Sequence, residues 1–222
     1  MRTMTRLTIL LFALTAVLPL PAVAGPFYGG VNVGYTGGLG VQFSGTFMDF
    51  TRDLPLSARV TLGYNTAGAG DPYKARSIFI NDNTNGDPEK SAHTWQFRFD
   101  LMFPAFKLGP QTLYLFVGPR YASYTANFNY IGGNENFDVT STPWGAGLGF
   151  ESWFVVGRSS DFVLQLGVDW YGQAKISGHD TSYLPSGDDV NPRNDYDYNS
   201  ADDAIDQPDL EILGMMGMRF RF

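Results

Sequence analysis

The sequence predicts an all-β chain: an antiparallel, up-and-down transmembrane β-barrel of about eight strands that follows a cleaved signal peptide. Three observations carry this reading. Apolar residues recur with period two over long stretches. The composition is rich in aromatics and glycine, with 18 Phe, 12 Tyr, 4 Trp and 26 Gly, while only 17% of residues are charged. The segments between the alternating stretches are short and long by turns, as expected for a chain that runs back and forth between two unlike ends.

The first 24 residues are set apart. Arg2 and Arg6 precede the apolar run Leu7 to Leu20, and Ala22 and Ala24 supply the small residues of a cleavage site. This is the pattern of a secretory signal peptide, with cleavage after Ala24 and a barrel domain over 25–222. An uncleaved N-terminal anchor is the alternative, and the Ala-x-Ala site argues against it. The chain contains no Cys, so the leader is not that of a lipoprotein. Against 15 basic residues stand 22 acidic ones, and two of the basic ones leave with the leader. Such a chain is a poor partner for nucleic acid.

The strands follow in order. Expected boundaries lie near 26–36, 41–50, 55–65, 93–104, 112–129, 141–155, 161–174 and 209–222. In Thr94 to Phe103, Trp95, Phe97, Phe99, Leu101 and Phe103 share one face, and Gln96, Arg98, Asp100 and Met102 share the other. A helix would scatter both sets; a strand separates them. Phe162 to Gln173, Leu56 to Asn65 and Trp144 to Phe154 repeat the pattern. No other run past Leu20 has the length of a membrane helix. The connections at one end, "TRDLP", "PAFKLGPQ" and "GRSSD", read as turns. At the other end lie Gly37–Gly40 and the long loops 66–92, 131–140 and 177–208. The short side would face the periplasm. Tyr35, Tyr64, Trp95, Trp144 and Trp170 fall at the long-loop ends of the apolar face. Phe27, Phe103, Phe154, Phe162 and Phe222 fall at the short-turn ends. Two aromatic belts match two headgroup levels.

The chain ends on "GMMGMRFRF". Met216, Met218, Phe220 and Phe222 would face lipid, and Arg219 and Arg221 would face inward. This ending resembles the C-terminal recognition signal of bacterial outer-membrane barrels. The chain as a whole is similar to the small OmpA/OmpX-like barrels that carry the porin-family label. That resemblance implies a bacterial outer-membrane location. It also implies assembly-machinery binding through Phe220 and Phe222, and contact with outer-membrane lipids and lipopolysaccharide. Full OmpA carries a peptidoglycan-binding domain after the barrel, which this sequence lacks. A soluble lipocalin-like barrel would turn its polar face outward; here that face is glycine-rich with isolated charges, which suits a narrow lumen.

Candidate site residues follow from parity. Arg59, Arg98, Asp100, Arg120, Glu151, Asp169, Arg219 and Arg221 fall on the inward face. They suggest an internal ion-pair network or, alternatively, an ion-conducting lumen. Tyr114, Phe116, Trp153 and Tyr171 are bulky inward residues that would fill it. Ser91 and His93 share the lipid-facing parity at the outer rim, an arrangement that resembles barrel enzymes that remodel lipid A. Their order is reversed relative to that motif, and no acid is placed to orient the imidazole. His179 falls in a loop. Asp195, Asp197, Asn199, Asp203 and Asp206 have the 1, 3, 5, 9, 12 spacing of a calcium loop, but Ser200 replaces its glycine and no flanking helices are expected. The alternative there is a solvated acidic loop, and no other cofactor is implied. The leading expectation is a non-enzymatic structural or surface-interaction barrel with a closed lumen. A narrow channel for small solutes and a lipid-modifying enzyme are the alternatives.

Overall fold

The computed structural model describes residues 25–49, 55–109, 111–193 and 195–222. The expected signal peptide and most of the "TRDLP" turn lie outside these residues.

Eight strands close a ring: β1 (Phe27–Thr36), β2 (Leu39–Phe47), β3 (Ser57–Ala67), β4 (Asp87–Leu108), β5 (Gln111–Ile131), β7 (Trp144–Val155), β8 (Ser160–Tyr171) and β11 (Leu210–Arg221). Each pairs antiparallel with the next. The last strand returns to the first, from Tyr28 opposite Arg221 to Thr36 opposite Leu213. Closure leaves no free sheet edge in the ring. The β1–β2 hairpin turns at Gly37, whose φ of 67° lies in the left-handed region that glycine enters without a Cβ penalty.

Period two sets which way each side chain points. In β3, Arg59, Thr61 and Asn65 are buried inside while Val60, Leu62 and Tyr64 are exposed outside. The outer face is apolar around the ring, with Leu166 68% and Trp144 66% exposed. Apolar side chains outside and charges inside is the inverse of a soluble protein, and it is stable where hydrocarbon surrounds the ring. Aromatic pairs mark both ends of this band. Tyr64 meets Trp95 at 4.9 Å and Tyr121 meets Trp144 at 5.0 Å on the long-loop side. Phe27 meets Phe47 at 4.9 Å and Phe222 at 6.1 Å, and Phe154 meets Phe162 at 6.2 Å, on the short-turn side.

Two boundaries differ from expectation. "PAFKLGPQ" reads as a turn because of Pro104, yet β4 continues to Leu108. The β4–β5 register shifts between Pro104 and Phe106, so Pro104 sits at a bulge, where its missing N–H breaks no regular ladder. The extra residue flips parity and turns Phe106 outward against Phe150 at 5.6 Å.

The larger difference lies at the other end. The loops 66–92, 131–140 and 177–208 fold into a cap. Strands β4 and β5 run past the ring, and β6 (Glu135–Ser141), β9 (Ile176–Gly178) and β10 (Thr181–Tyr183) extend their sheet on the β5 side. Helices α1 (Pro72–Phe79) and α2 (Tyr198–Asp202) pack on it. Asp71 caps α1 by accepting from the Tyr73 and Lys74 amides, and Pro72 occupies the first turn. Ala75, Ile78 and Phe79 share its buried face and join Tyr124, Ala126, Phe128, Tyr130, Val139, Ile176 and Tyr183 in one apolar core. Phe79 meets Tyr183 edge-on at 5.7 Å, and the Tyr183 hydroxyl donates to the Ile78 carbonyl at 3.2 Å.

This core is separate from the ring, so the two should fail separately. Phe79→Ala removes a side chain that is 3% exposed, at a cost of about 3–5 kcal/mol. The expected result is rapid proteolytic cutting within the cap while the ring keeps its heat-modifiable migration in detergent. Simultaneous loss of both would show one cooperative unit.

Candidate functional site: the lumen and its ends

An eight-stranded ring has room inside for side chains and little else. Small residues on some strands make way for large ones on others. Phe116 is fully buried, and its ring tip lies where a Cβ on Gly149 or Gly167 would stand, 2.4 Å and 3.0 Å away. Met102, Leu213 and Met215 pack with it, and Tyr114 and Trp153 lie against the same cluster.

Against this layer, with the Arg59 guanidinium 5.0 Å over the Phe116 ring, six of the eight candidate charges meet in one chain. Glu151 pairs with Arg59, and Arg59 donates to Asp100 from Nε at 3.1 Å and Nη2 at 2.7 Å. Arg120 makes a 2.7 Å charge contact with Asp100 and donates from Nε to Asp169 at 2.6 Å. Arg98 closes the chain on Asp169 at 2.7 Å. Signs alternate along it, and three guanidiniums meet three carboxylates. Arginine suits this role because its planar fork serves two carboxylates at once. Gln165 and Trp153 also donate to Glu151, at 2.7 Å and 2.5 Å. Gly147 provides the space: a Cβ there would stand 1.9 Å from Asp169 Oδ1 and 2.4 Å from Arg120 Nε.

The other two candidates lie elsewhere. Arg219 pairs with Asp161 at 2.7 Å, and its guanidinium is stacked between Tyr28, at 4.2 Å, and Trp153, at 3.4 Å. Trp153 stacks in turn on Tyr114 at 3.8 Å. This four-member stack spans the short-turn end of the lumen. Arg221 is exposed at the rim and joins no ion pair among the described residues.

Sequence reasoning missed Asp161 and Glu211. Glu211 lies opposite Asp169 on the neighbouring strand and accepts from Gln96 at 2.9 Å, and Thr36 donates to the same Gln96 at 3.2 Å. Both acids lie on the inward parity, two residues before Val163 and Leu213, so extending the alternation would have found them.

The remaining candidates are not assembled into sites. His93 is stacked on Tyr64 at 5.6 Å on the outer face. His179 holds a left-handed φ of 48° in the β9–β10 turn. Tyr198 to Asp202 is helical, and the Asp197 carboxylate caps that helix by accepting the Ser200 amide at 2.9 Å. That capping holds the Asp197 carboxyl below its usual range. No group of three acidic or histidine side chains able to hold a metal occurs among the described residues.

In the cap, Arg76 is buried beneath the Tyr130 ring at 4.1 Å and donates to Glu135 at 2.5 Å and to the Asn85 carbonyl at 2.7 Å. The Arg76 hydrogen bond holds the Glu135 carboxyl below the usual range.

Neither a protein-family model nor a curated protein matches this chain. Solved structures do. The major outer membrane protein from Thermus thermophilus superposes with a TM-score of 0.71 at 21% identity, over 89% of this chain and 98% of that one. Neisserial surface protein A gives a TM-score of 0.46 at 12% identity, over 89% and 99%. CarO2 from Acinetobacter baumannii gives 0.44 at 13%, over 90% and 99%. At 21% identity the Thermus likeness is one of fold, and the fold is that of a small outer-membrane β-barrel.

The ion-pair chain makes a quantitative expectation. Asp169→Ala leaves Arg98 and Arg120 facing each other without their shared carboxylate and should destabilise by about 3–5 kcal/mol. Gly147→Ala should also destabilise, because the new methyl forces Asp169 and Arg120 apart. Exposed Lys175→Ala should stay within about 0.5 kcal/mol of wild type. Urea unfolding of protein folded into vesicles measures all three; midpoints that coincide would mean the chain contributes nothing net.

Proposed function

We propose that this chain resides in a bacterial outer membrane and presents its folded cap to the outside, on a barrel that conducts no ions. The observation that carries the reading is the pair of side-chain layers across the lumen. The Tyr114–Trp153–Arg219–Tyr28 stack lies at the short-turn end, and the Phe116 layer with the Arg–carboxylate chain lies above it. Each charge in that chain is matched, so none is left free to attract a permeating ion. The cap is a folded surface, so the interaction role belongs to it. The outer surface of the ring meets membrane lipid along its apolar band.

A planar bilayer holding refolded protein should show no steady single-channel steps. Phe116→Ala combined with Trp153→Ala opens both layers and should introduce steps or raise the leak. Steady steps from the wild type would replace this reading with that of a narrow channel.

Assembly supplies a second expectation. The Phe222 amide donates to the Phe27 carbonyl at 3.0 Å, and the Phe222 ring lies beside Phe27 in the lower belt. Within the same proposal, Phe220 and Phe222 form the recognition end of the last strand. Deleting Phe222 should lower the membrane-inserted, heat-modifiable fraction in cells, with less effect on spontaneous refolding in detergent. Equal insertion in cells would remove the recognition role.

A further inference from the structure

The outer face of β4, β5 and β6 changes character where the strands leave the lipid band. Below lie Trp95, Tyr121 and Trp144. Above, the outward positions form rows across three strands. Ser91, Asn127 and Asp138 make one row, and Glu89, Asn129 and Asn136 make the next. Asn127 donates to Asn136 at 2.7 Å and to Asp138 at 2.8 Å, and Asn129 donates to Glu89 at 3.5 Å. A shallow groove of about 430 Å³ runs over Glu89, Lys90, Ser91, Asn127, Asn129 and Asn136. Lys90, which borders it, alternates to the other face and donates to the Gly70 carbonyl.

We infer that this wall binds the uncharged sugars of a glycolipid in the outer leaflet. The inference rests on the membrane placement proposed above. Three features fix the class of partner. Neighbours within a row stand one strand spacing apart, about 4.8 Å, and the two rows about 6.8 Å apart along the strands, which sets amide donors and acceptors at intervals a chain of sugar hydroxyls can follow. The rows carry two carboxylates, and Lys90, the one cation lining the groove among the described residues, is engaged with the Gly70 carbonyl, so the rows accept hydroxyl hydrogens and repel phosphate. The wall also continues directly from the aromatic belt on the same strands, so acyl chains seated below place their headgroup against it. A surface for soluble polysaccharide would not need that continuity.

The test uses the whole folded protein in nanodiscs. Native mass spectrometry counts retained diglucosyl diacylglycerol and, separately, phosphatidylglycerol with the same acyl chains. Wild type should retain the glycolipid about tenfold better than Asn127→Ala/Asn129→Ala/Asn136→Ala, the loss expected for one or two net hydrogen bonds. Phosphatidylglycerol should be retained equally by both. If the triple variant misfolds, Asn136→Ala alone decides: β6 lies outside the ring, and the single change should still weaken glycolipid retention. Equal glycolipid retention by wild type and a folded variant overturns the inference. Full displacement of the glycolipid by soluble cellobiose overturns the lipid-anchored source. A conducting barrel that still retains glycolipid would remove the non-conducting reading and leave this one standing.

Discussion

The narrowness of an eight-stranded ring governs the rest of the structure. A lumen that side chains can just fill turns every inward residue into a neighbour of every other at its level. Phe116 therefore requires Gly149 and Gly167, and the Arg120–Asp169 pair requires Gly147. A single guanidinium enclosed there would be strongly unfavourable, whereas a chain of alternating sign is self-consistent. Arg59, Arg98 and Arg120 each reach a carboxylate on a different strand, so the chain ties β3, β4, β5, β7 and β8 together across the interior. With these charges paired inside, the outer face can be apolar along the lipid band.

A membrane-crossing strand needs only about 9–11 residues. Strands β4 and β5 have 22 and 21. Their excess stands in water, and the two faces of β5 exchange roles there. Up to Arg120 its inner positions meet charge and its outer positions meet lipid. From Tyr124 through Tyr130 the inner positions build the cap core, while Thr125, Asn127 and Asn129 point outward. The same strand thus reads as two different β patterns joined end to end, with the switch near Tyr121 and Trp144. Solvent determines the sign of each pattern, because the sheet geometry is continuous through it.

That exchange also explains what was legible in the sequence. The eight ring strands were readable because lipid outside and a filled lumen inside give unbroken alternation, as in Thr94 to Phe103. The cap was not. In 66–92, the run Ala67 to Asp71 and the cluster Asn81 to Gly86 carry turn chemistry, and α1 between them is a single short amphipathic helix. The start of β4, "DPEKS", has no apolar alternation because its outward residues meet water and Lys90 reaches only a carbonyl. Within the site, parity brought eight charges to one face, but which six meet, and which arginine meets which carboxylate, depends on ring shear, and no sequence pattern encodes that. Linear calcium spacing predicts convergence only in a loop, and Tyr198 to Asp202 in the middle of this one are wound into a helix capped by Asp197.

The cap is fastened to the ring differently from a loop. Two paired strands pass from one into the other, with pairing unbroken from Asp87 opposite Ile131 to Arg98 opposite Arg120. Tilting the cap would require bending that ladder, and the Tyr124 hydroxyl, which donates to the Gly68 carbonyl at 2.9 Å, adds a link between the sheet and the segment before α1. Asp71 and Ala204 join the two helix regions through a 2.9 Å backbone bond, so the helices move with the sheet. A surface held this way loses little conformational freedom when it meets a partner. The filled lumen and the rigid cap therefore belong together. The ion pairs inside fix where the strands emerge, and the emerging strands fix the surface that the cap presents.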